Sequence, residues 1–315
     1  MSHFSVAVFQ DGSRTVEELL APYQENNMGD CPGQYLRFVS ATESSREEYE
    51  TGEGERVCLE DGSYMYPWDE EGLKEVFTNI TYNDGRDHSS FYGKKSEYLL
   101  RNSRDPFLGD VQIIFLLGDK GAKLQTLPYK EIYPTLQDYV RDYVEAPWDE
   151  EKQDYGYWEN PDAKWDWWQK GGRWDKLLKP FHGERCAEAR VADIDFEIDQ
   201  HWYNEKLRWW EVVIEGSPIR RSQGEKESDF SNFYKIEYLL DRYKNKEIFA
   251  KVQSSAITDA VITPDGKWYQ RGDMGWFGTN SATAEEAYNW DMRFKETFID
   301  KADPDWILTI VDCHI

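Results

Sequence analysis

Histidine and aspartate side chains near the two ends of the chain are the first candidates for chemistry. His3 lies near one end, and Asp312 and His314 lie two residues apart near the other. Imidazole exchanges protons near neutral pH and binds metals as a neutral ligand. If both segments are strands that pair, these side chains cluster into an acid–base or metal site. The competing interpretation is that they are edge residues with satisfied hydrogen bonds.

An aromatic block at residues 146–174 is the second candidate, because tryptophan can stack on a base or sugar. Gly171 and Gly172 permit positive φ or close backbone approach, and Arg173 can bind phosphate or carboxylate. The competing interpretation is a packed aromatic corner with Arg173 or Lys164 over a tryptophan face. The candidate binding residues of this block are Trp148, Trp158, Trp165, Trp168, Arg173 and Trp174.

Four acidic residues alternate with apolar ones between residues 191 and 199, which predicts a strand with one carboxylate face. Oxygen ligands in a row suit Mg²⁺ or Ca²⁺, so Asp193, Asp195 and Glu197 are candidate metal ligands. The competing interpretation is a solvated face. A second strand is predicted around residues 210–214.

The segment at residues 263–278 is rich in glycine but matches neither GxGxxG nor a P-loop. We expect a strand at residues 260–263, a Pro264–Gly266 turn and a hairpin that packs Trp268 and Trp276. No GxSxG nucleophile motif is present.

The cysteines do not indicate a metal or redox site. Cys31, Cys58, Cys186 and Cys313 are scattered without CxxC spacing, which favours reduced thiols in a cytosol. Cys313 adjoins His314, but adjacent strand residues point to opposite faces, so no Cys–His dyad is expected. No secretory signal is expected either, since the first residues lack basic and apolar segments.

The elements that must position these residues are α and β in mixed order. Alternation at residues 3–9 and an apolar run at 306–315 predict a strand at each end, both central to one sheet. Thr15 and Thr283 begin predicted helices, each with glutamate three residues on. We therefore predict an α+β fold with a mixed or antiparallel sheet that contains both terminal strands, with helices and an acidic inserted region.

The charge is strongly negative and uneven. The chain has 315 residues, with 37 Lys and Arg against 61 Asp and Glu, a net charge of −24. This charge repels phosphate backbones and anionic membranes, so we expect no direct nucleic-acid or membrane partner. Most of the excess falls in residues 1–160, which favours an acidic region at 41–145 inserted into a Trp-rich scaffold of 1–40 and 146–315. Within the acidic region, Glu70 and Glu71 are candidate contact residues.

Several segments together resemble a family of bacteriophage and prophage proteins. They are the opening Met-Ser-His-Phe, the central Asn-Pro-Asp-Ala-Lys-Trp-Asp-Trp-Trp with Gly-Gly-Arg-Trp, Thr-Pro-Asp-Gly-Lys-Trp with Met-Gly-Trp-Phe-Gly, and the ending Leu-Thr-Ile-Val-Asp-Cys-His-Ile. The similarity covers residues 1–25, 160–175 and 260–315. It implies a phage-encoded protein acting in the host bacterial cytoplasm, and it transfers no catalytic residue.

The leading hypothesis is a non-enzymatic phage inhibitor that binds a host defence complex, such as the Gabija nuclease–helicase, whose DNA-handling surface would be basic. The expected partner is thus a host protein complex, with exposed tryptophans as anchors, no cofactor, and homo-oligomer formation as a further possibility. The first alternative is a binding protein or enzyme for a nucleotide-like small molecule with a Trp/Arg site. The second is a phage structural protein.

Overall fold

The structure, a computed structural model, describes residues 2–84, 86, 97–105, 107–232, 234–275 and 279–315, with only the backbone of residue 105. The strands are β1 His3–Gln10, β2 Arg37–Ser40, β3 Glu53–Cys58, β4 Tyr64–Met65, β5 Asn79–Tyr82, β6 Tyr98–Asp105, β7 Gly109–Leu116, β8 Lys123–Pro128, β9 Trp148–Asp149, β10 Asp154–Glu159, β11 Trp167–Lys170, β12 Glu188–Arg190, β13 Ala260–Ile262, β14 Trp268–Gln270 and β15 Ile307–His314.

The α-helices are mostly short, and two of them end in π-helical turns. They are α1 Val16–Leu20, α2 Ala41–Ser44, α3 Arg46–Thr51, α4 Glu70–Val76, α5 Tyr129–Ile132, α6 Leu136–Tyr139, α7 Gln200–Val213, α8 Ile236–Tyr243, α9 Lys246–Gln253 and α10 Ala284–Phe294. The π-helical turns Val140–Val144 and Lys295–Ile299 continue α6 and α10. None of the helices in the described residues is both long and apolar enough to cross a membrane.

The chain divides into two compact units. Unit 1 comprises Met1–Arg37 and Glu159–Ile315, and unit 2 comprises Phe38–Trp158. The sequence analysis places the acidic region at residues 41–145. Unit 2 is longer at both ends and also includes residues 38–40 and 146–158.

The sheet of unit 1 is built around the two ends of the chain. Its order is β11-β15-β1-β13-β14, and β12 also pairs with β15. β1 runs antiparallel to β15 and parallel to β13. The fold is therefore α+β with a mixed sheet that contains both terminal strands, as the sequence predicts.

The two faces of this sheet are covered by different elements, because alternate residues of a strand point to opposite sides. On one face, Phe4, Val6 and Cys313 pack with α1 and Trp165. On the other face, Phe9 and Ile310 pack with α10 and its π-helical turn. Helices α7, α8 and α9 form a separate apolar cluster that includes Trp210 and Phe249.

The described residues of unit 2 form three small sheets, each of three strands. Their orders are β2-β10-β9, β4-β3-β8 and β5-β7-β6. One core lies under β3 and β7 and contains Val57 and Phe115, and a second is formed largely by tyrosines, including Tyr129 and Tyr139. Within the acidic region, residues 43–75 thus contain the strands β3 and β4 as well as short helices.

Local capping signals are confirmed. The hydroxyl groups of Thr15 and Thr283 each accept a hydrogen bond from the backbone N–H of a glutamate three residues on. The carboxylate of that glutamate in turn accepts one from the backbone N–H of the threonine. The strand and turn at residues 260–266 also form, with Gly266 at φ +84°. The expected packing of Trp276 lies outside the described residues.

Two strand predictions are wrong. Residues 191–193 form a 3₁₀ turn, and the residues that follow form no strand. Asp199 then caps α7 by accepting from the backbone N–H groups of His201 and Trp202. The predicted strand around residues 210–214 is the end of that helix, whose Trp209 stacks on Phe249 of α9. Aspartate side chains bind nearby backbone N–H groups, so their alternation here reflects turns and a cap rather than a strand.

Candidate functional site

Pairing of the terminal strands places ionisable residues side by side. The register sets His3 opposite His314 and Ser5 opposite Asp312. Directly opposed residues of antiparallel strands share a face, so all four lie on the face that Phe9 and Ile310 occupy farther along. That face is thus apolar at one end and ionisable at the other.

Asp312 is the centre of this cluster. Its side chain is fully buried, and Oδ1 lies 2.7 Å from Nδ1 of His3. Oδ2 accepts the backbone N–H of Arg173 at 3.0 Å and the side-chain amide of Gln169 at 3.4 Å. A buried carboxylate needs such donors, since each unmade bond leaves a desolvated charge.

The Gly171-Gly172 pair brings the Arg173 N–H to this carboxylate. Gly172 has φ +53°, and a Cβ there would lie 2.4 Å from Oδ2 of Asp312. Only glycine leaves room for that approach, as the sequence suggests for this pair. The following 3₁₀ turn, Gly172–Trp174, then sets Trp174 beside the cluster.

A second histidine–aspartate pair adjoins the first. Nδ1 of His314 lies 2.6 Å from Oδ1 of Asp166, and its ring stacks on Trp167 with centroids 5.4 Å apart. The rings of His3 and His314 meet edge to face, with centroids 5.1 Å apart. Nε2 of His314 is buried and has no hydrogen-bond partner among the described residues.

A cleft of about 540 Å³ opens at the ionisable end of the sheet face, a volume within the usual range for small-molecule sites. Its walls come from the sheet, the Gly172–Trp174 turn, α8 with the residues before it, and the residues before α10. The lining residues are His3, Trp174, Tyr234, Lys235, Tyr238, Arg242, Asp259, Arg271, Met274, Thr279, Asn280 and Ala282.

The cleft wall contains three cations and one carboxylate. Arg271 donates to Asp259 at 2.5 Å, and Asp259 also accepts from the backbone and hydroxyl of Ser5. Arg242 donates two bonds to buried Asp291, at 2.6 and 3.1 Å. Burial raises the pKa of Asp291, while the charge of Arg242 acts to lower it. The carboxylates thus hold both guanidinium groups in place.

The candidate residues of unit 1 are divided between the cluster and the core. Trp174 lines the cleft, and Arg173 contributes its backbone N–H while its side chain is exposed. Trp165 is a core residue that donates to the carbonyl of Leu20. Trp165 and Trp168 both pack on the face of the sheet that Cys313 occupies, opposite to the face of the cluster. For these two, the packed aromatic interpretation holds.

The remaining candidates lie in unit 2. Trp148 packs edge to face on Tyr155, and Trp158 donates to Asp149 at 2.7 Å. Glu70 and Glu71 begin α4. The hydrogen bond from Lys74 holds the pKa of Glu70 below its usual value.

The acidic ladder does not form a metal site. Asp193 pairs with Arg190 at 3.1 Å and Asp195 with Lys179 at 2.8 Å, and Glu197 lies outside any strand. Across the described part of the chain, no group of three or more His, Cys, Asp or Glu could hold a metal ion.

Cys313 faces the apolar side of the sheet, away from His314, as strand alternation predicts. Burial raises the pKa of its thiol well above the usual value, which disfavours the thiolate that a nucleophile needs.

Sequence reasoning missed several residues of the site, including Asp166, Gln169, Asp259, Arg242 and Arg271. Gln169 could have been found from the alternation of β11, which puts it on the same face as Trp167 and opposite Asp312, whereas Asp166 precedes the strand and has no such signal. For the arginines there is no comparable signal, because their place in the cleft depends on how the helices pack. Comparison with models of known protein families, with curated proteins and with solved structures gave no match.

Proposed function

We propose that unit 1 binds a small, anionic, nucleotide-like molecule in the cleft beside His3. The observation that carries this proposal is the composition of the wall, where Lys235, Arg242 and Arg271 surround aromatic rings in a chain of net charge −24. Guanidinium and ammonium groups gathered on one wall are donors suited to the oxygens of an anionic ligand.

The rings of the cleft suit a flat group on the ligand. Tyr234 and Tyr238 are stacked with centroids 6.0 Å apart and planes inclined by 28°, and Trp174 contributes a third ring to the lining. Aromatic faces stack on bases, and guanidinium groups bind phosphate oxygens in pairs. Because Asp259 and Asp291 already hold the two arginines, binding would require little further ordering of these side chains.

The experiment is calorimetric titration and thermal shift with inorganic phosphate, pyrophosphate, AMP and ATP. A ligand that binds only the folded state raises the melting temperature of the protein. We therefore expect at least one probe to raise the melting temperature by several degrees. Lys235→Ala removes an exposed cation of the wall and should weaken binding about twofold to fivefold. Lys301→Ala removes an exposed lysine outside the lining and is the control. Equal affinity of the two variants, or no shift with any probe, would contradict the proposal.

The second candidate function is a phage-encoded inhibitor that binds a host defence complex in the bacterial cytoplasm. The surface of unit 2 favours it, since Trp68 and Trp148 are 51% and 43% exposed. Residues 38–158 carry 26 acidic and 13 basic side chains. Exposed aromatics anchor interfaces, and opposite charge speeds association with a basic, DNA-handling partner.

Pull-down from host lysate tests this candidate. Wild type should retain a nucleic-acid enzyme at low salt and less of it at high salt. The double variant Trp68→Ala with Trp148→Ala should retain less of the same protein at a temperature well below its melting temperature, which is measured in parallel because both rings also pack on neighbours. Size-exclusion chromatography of the purified chain tests the proposed homo-oligomer. Capture of no host nucleic-acid enzyme at either salt concentration would count against the candidate.

A further inference from the structure

His3 has the arrangement of a proton acceptor at the wall of the cleft. An ionised carboxylate only accepts hydrogen bonds, so the His3 nitrogen that faces Asp312, Nδ1, must carry the hydrogen. In the neutral ring Nε2 is then the nitrogen with a free lone pair. His3 is one of the residues that line the cleft.

The ring of His3 is also held in place from several sides. Asp312 is fixed by bonds from Arg173 and Gln169, so it cannot turn away from Nδ1. The rings of Trp167 and His314 contact His3 edge to face, with centroids 5.5 and 5.1 Å away. A base whose orientation is fixed before the ligand arrives loses little entropy in the reaction.

The groups that share the cleft wall with His3 indicate the substrate class. Lys235 lines the cleft together with Arg242 and Arg271, and the N–H groups that the carboxylates leave free on the two arginines would donate to the oxygens of a phosphate group. Cations fixed in a partly desolvated site stabilise the charge that develops on those oxygens during displacement at phosphorus. A base and a set of cations on one wall are two components that hydrolysis of a phosphate ester can use.

We propose that the cleft hydrolyses a phosphate ester of the nucleotide-like ligand, with His3 as general base; this inference rests on the proposed ligand site. Nε2 takes a proton from water as the water oxygen bonds to phosphorus. The bond from phosphorus to the leaving oxygen breaks, that oxygen takes a proton from solvent, and the imidazolium releases its proton to solvent. One ester and one water give one alcohol and one phosphate, and His3 ends neutral. Asp312 is a positioning residue in this scheme.

The test uses p-nitrophenyl phosphate and bis(p-nitrophenyl) phosphate as chromogenic probes, with pyrophosphate binding measured in parallel. For His3→Gln we expect kcat/KM to fall about 10²- to 10⁴-fold, the usual contribution of a general base. Pyrophosphate affinity should stay within about threefold, because the cations remain. His201→Gln is the matched control, since His201 is exposed on α7.

Asp312→Asn separates positioning from structure. It should lower kcat and change the pH profile while KM changes little, whereas a purely structural role would leave the pH profile unchanged. If His3→Gln fails to fold, diethyl pyrocarbonate is used on the wild-type chain, with modified histidines mapped by mass spectrometry. Loss of hydrolysis in step with His3 modification supports the inference, and full hydrolysis by chains modified at His3 overturns it.

The outcomes distinguish the two proposals. Wild type that binds pyrophosphate but hydrolyses neither ester between about pH 5 and pH 9 overturns the catalytic inference and leaves the ligand site standing. Absence of binding by any phosphate probe removes both. Equal hydrolysis by wild type and folded His3→Gln also overturns the role of His3.

Discussion

Replacement of Gly172 by alanine tests how the cluster around Asp312 is held together. Gly172 has φ +53°, and the added Cβ would lie 2.4 Å from Oδ2 and 2.5 Å from Cβ of Asp312. Atoms cannot approach so closely, so either the turn or the carboxylate must move. In both cases the bond from the Arg173 N–H to Asp312 is lost or lengthened.

The magnitude follows from two costs. An L-residue in the left-handed region costs about 1–2 kcal/mol. Loss of a hydrogen bond to a buried charged group costs about 1.5–3 kcal/mol, and no discount for solvent applies because Asp312 is fully buried. Gly172→Ala should therefore lower the free energy of unfolding of unit 1 by about 3–5 kcal/mol.

The control is Gly216→Ala in the same unit. Gly216 also has positive φ, +72°, but no atom lies within 4 Å of its added Cβ. It should cost only the backbone term of about 1–2 kcal/mol. Urea denaturation measures both values, and melting temperatures should fall about 2–4 °C per kcal/mol for a unit of this size. Equal losses for the two alanines would refute the proposed role of the turn.

Three further predictions concern buried and paired charges. Arg56 is fully buried in unit 2, so Arg56→Ala should lower the free energy of unfolding by about 3–5 kcal/mol, measured in denaturant. Arg56→Met refills the space and should lower it clearly less. Equal losses for the two variants would contradict this. Asp291→Leu leaves the buried Arg242 unpaired and should cost about 3–5 kcal/mol. Adding Arg242→Met should recover most of that loss, and no recovery would contradict the assignment. Bonds from Arg208 lower the pKa of Glu225 from 4.5 to about 2, so stability from this pair is present above about pH 4.5 and is lost as pH falls towards 2. Melting temperatures on acidification should therefore fall less for Glu225→Gln than for wild type.

Local patterns predicted the elements that depend on neighbours in sequence. Alternation identified β1 and β15, and a threonine with glutamate three residues on identified the starts of α1 and α10. These signals are reliable because the groups that make the bonds are only a few residues apart.

The same short sequence can form different structures where packing decides. Phe91-Tyr-Gly-Lys-Lys-Ser-Glu-Tyr-Leu-Leu is similar to Phe233-Tyr-Lys-Ile-Glu-Tyr-Leu-Leu, and the two share Glu-Tyr-Leu-Leu at residues 97–100 and 237–240. From the sequence, an internal duplication is one interpretation of this similarity. Tyr98–Leu100 lies in the strand β6, whereas 237–240 lies in the helix α8. The earlier part of the similarity, at residues 91–96 and 233, lies outside the described residues. In the described part, the matched letters do not indicate a repeated fold.

By itself the sequence determined that each end of the chain is a strand and that His3, Asp312 and His314 occupy alternating strand positions. Only the tertiary structure decided the register that opposes His3 to His314, since a shift of one residue would move Asp312 to the other face. It also decided that the Gly172 turn reaches Asp312 from 140 residues away. Bonds over such separations depend on how the whole sheet assembles, and no local pattern contains that information.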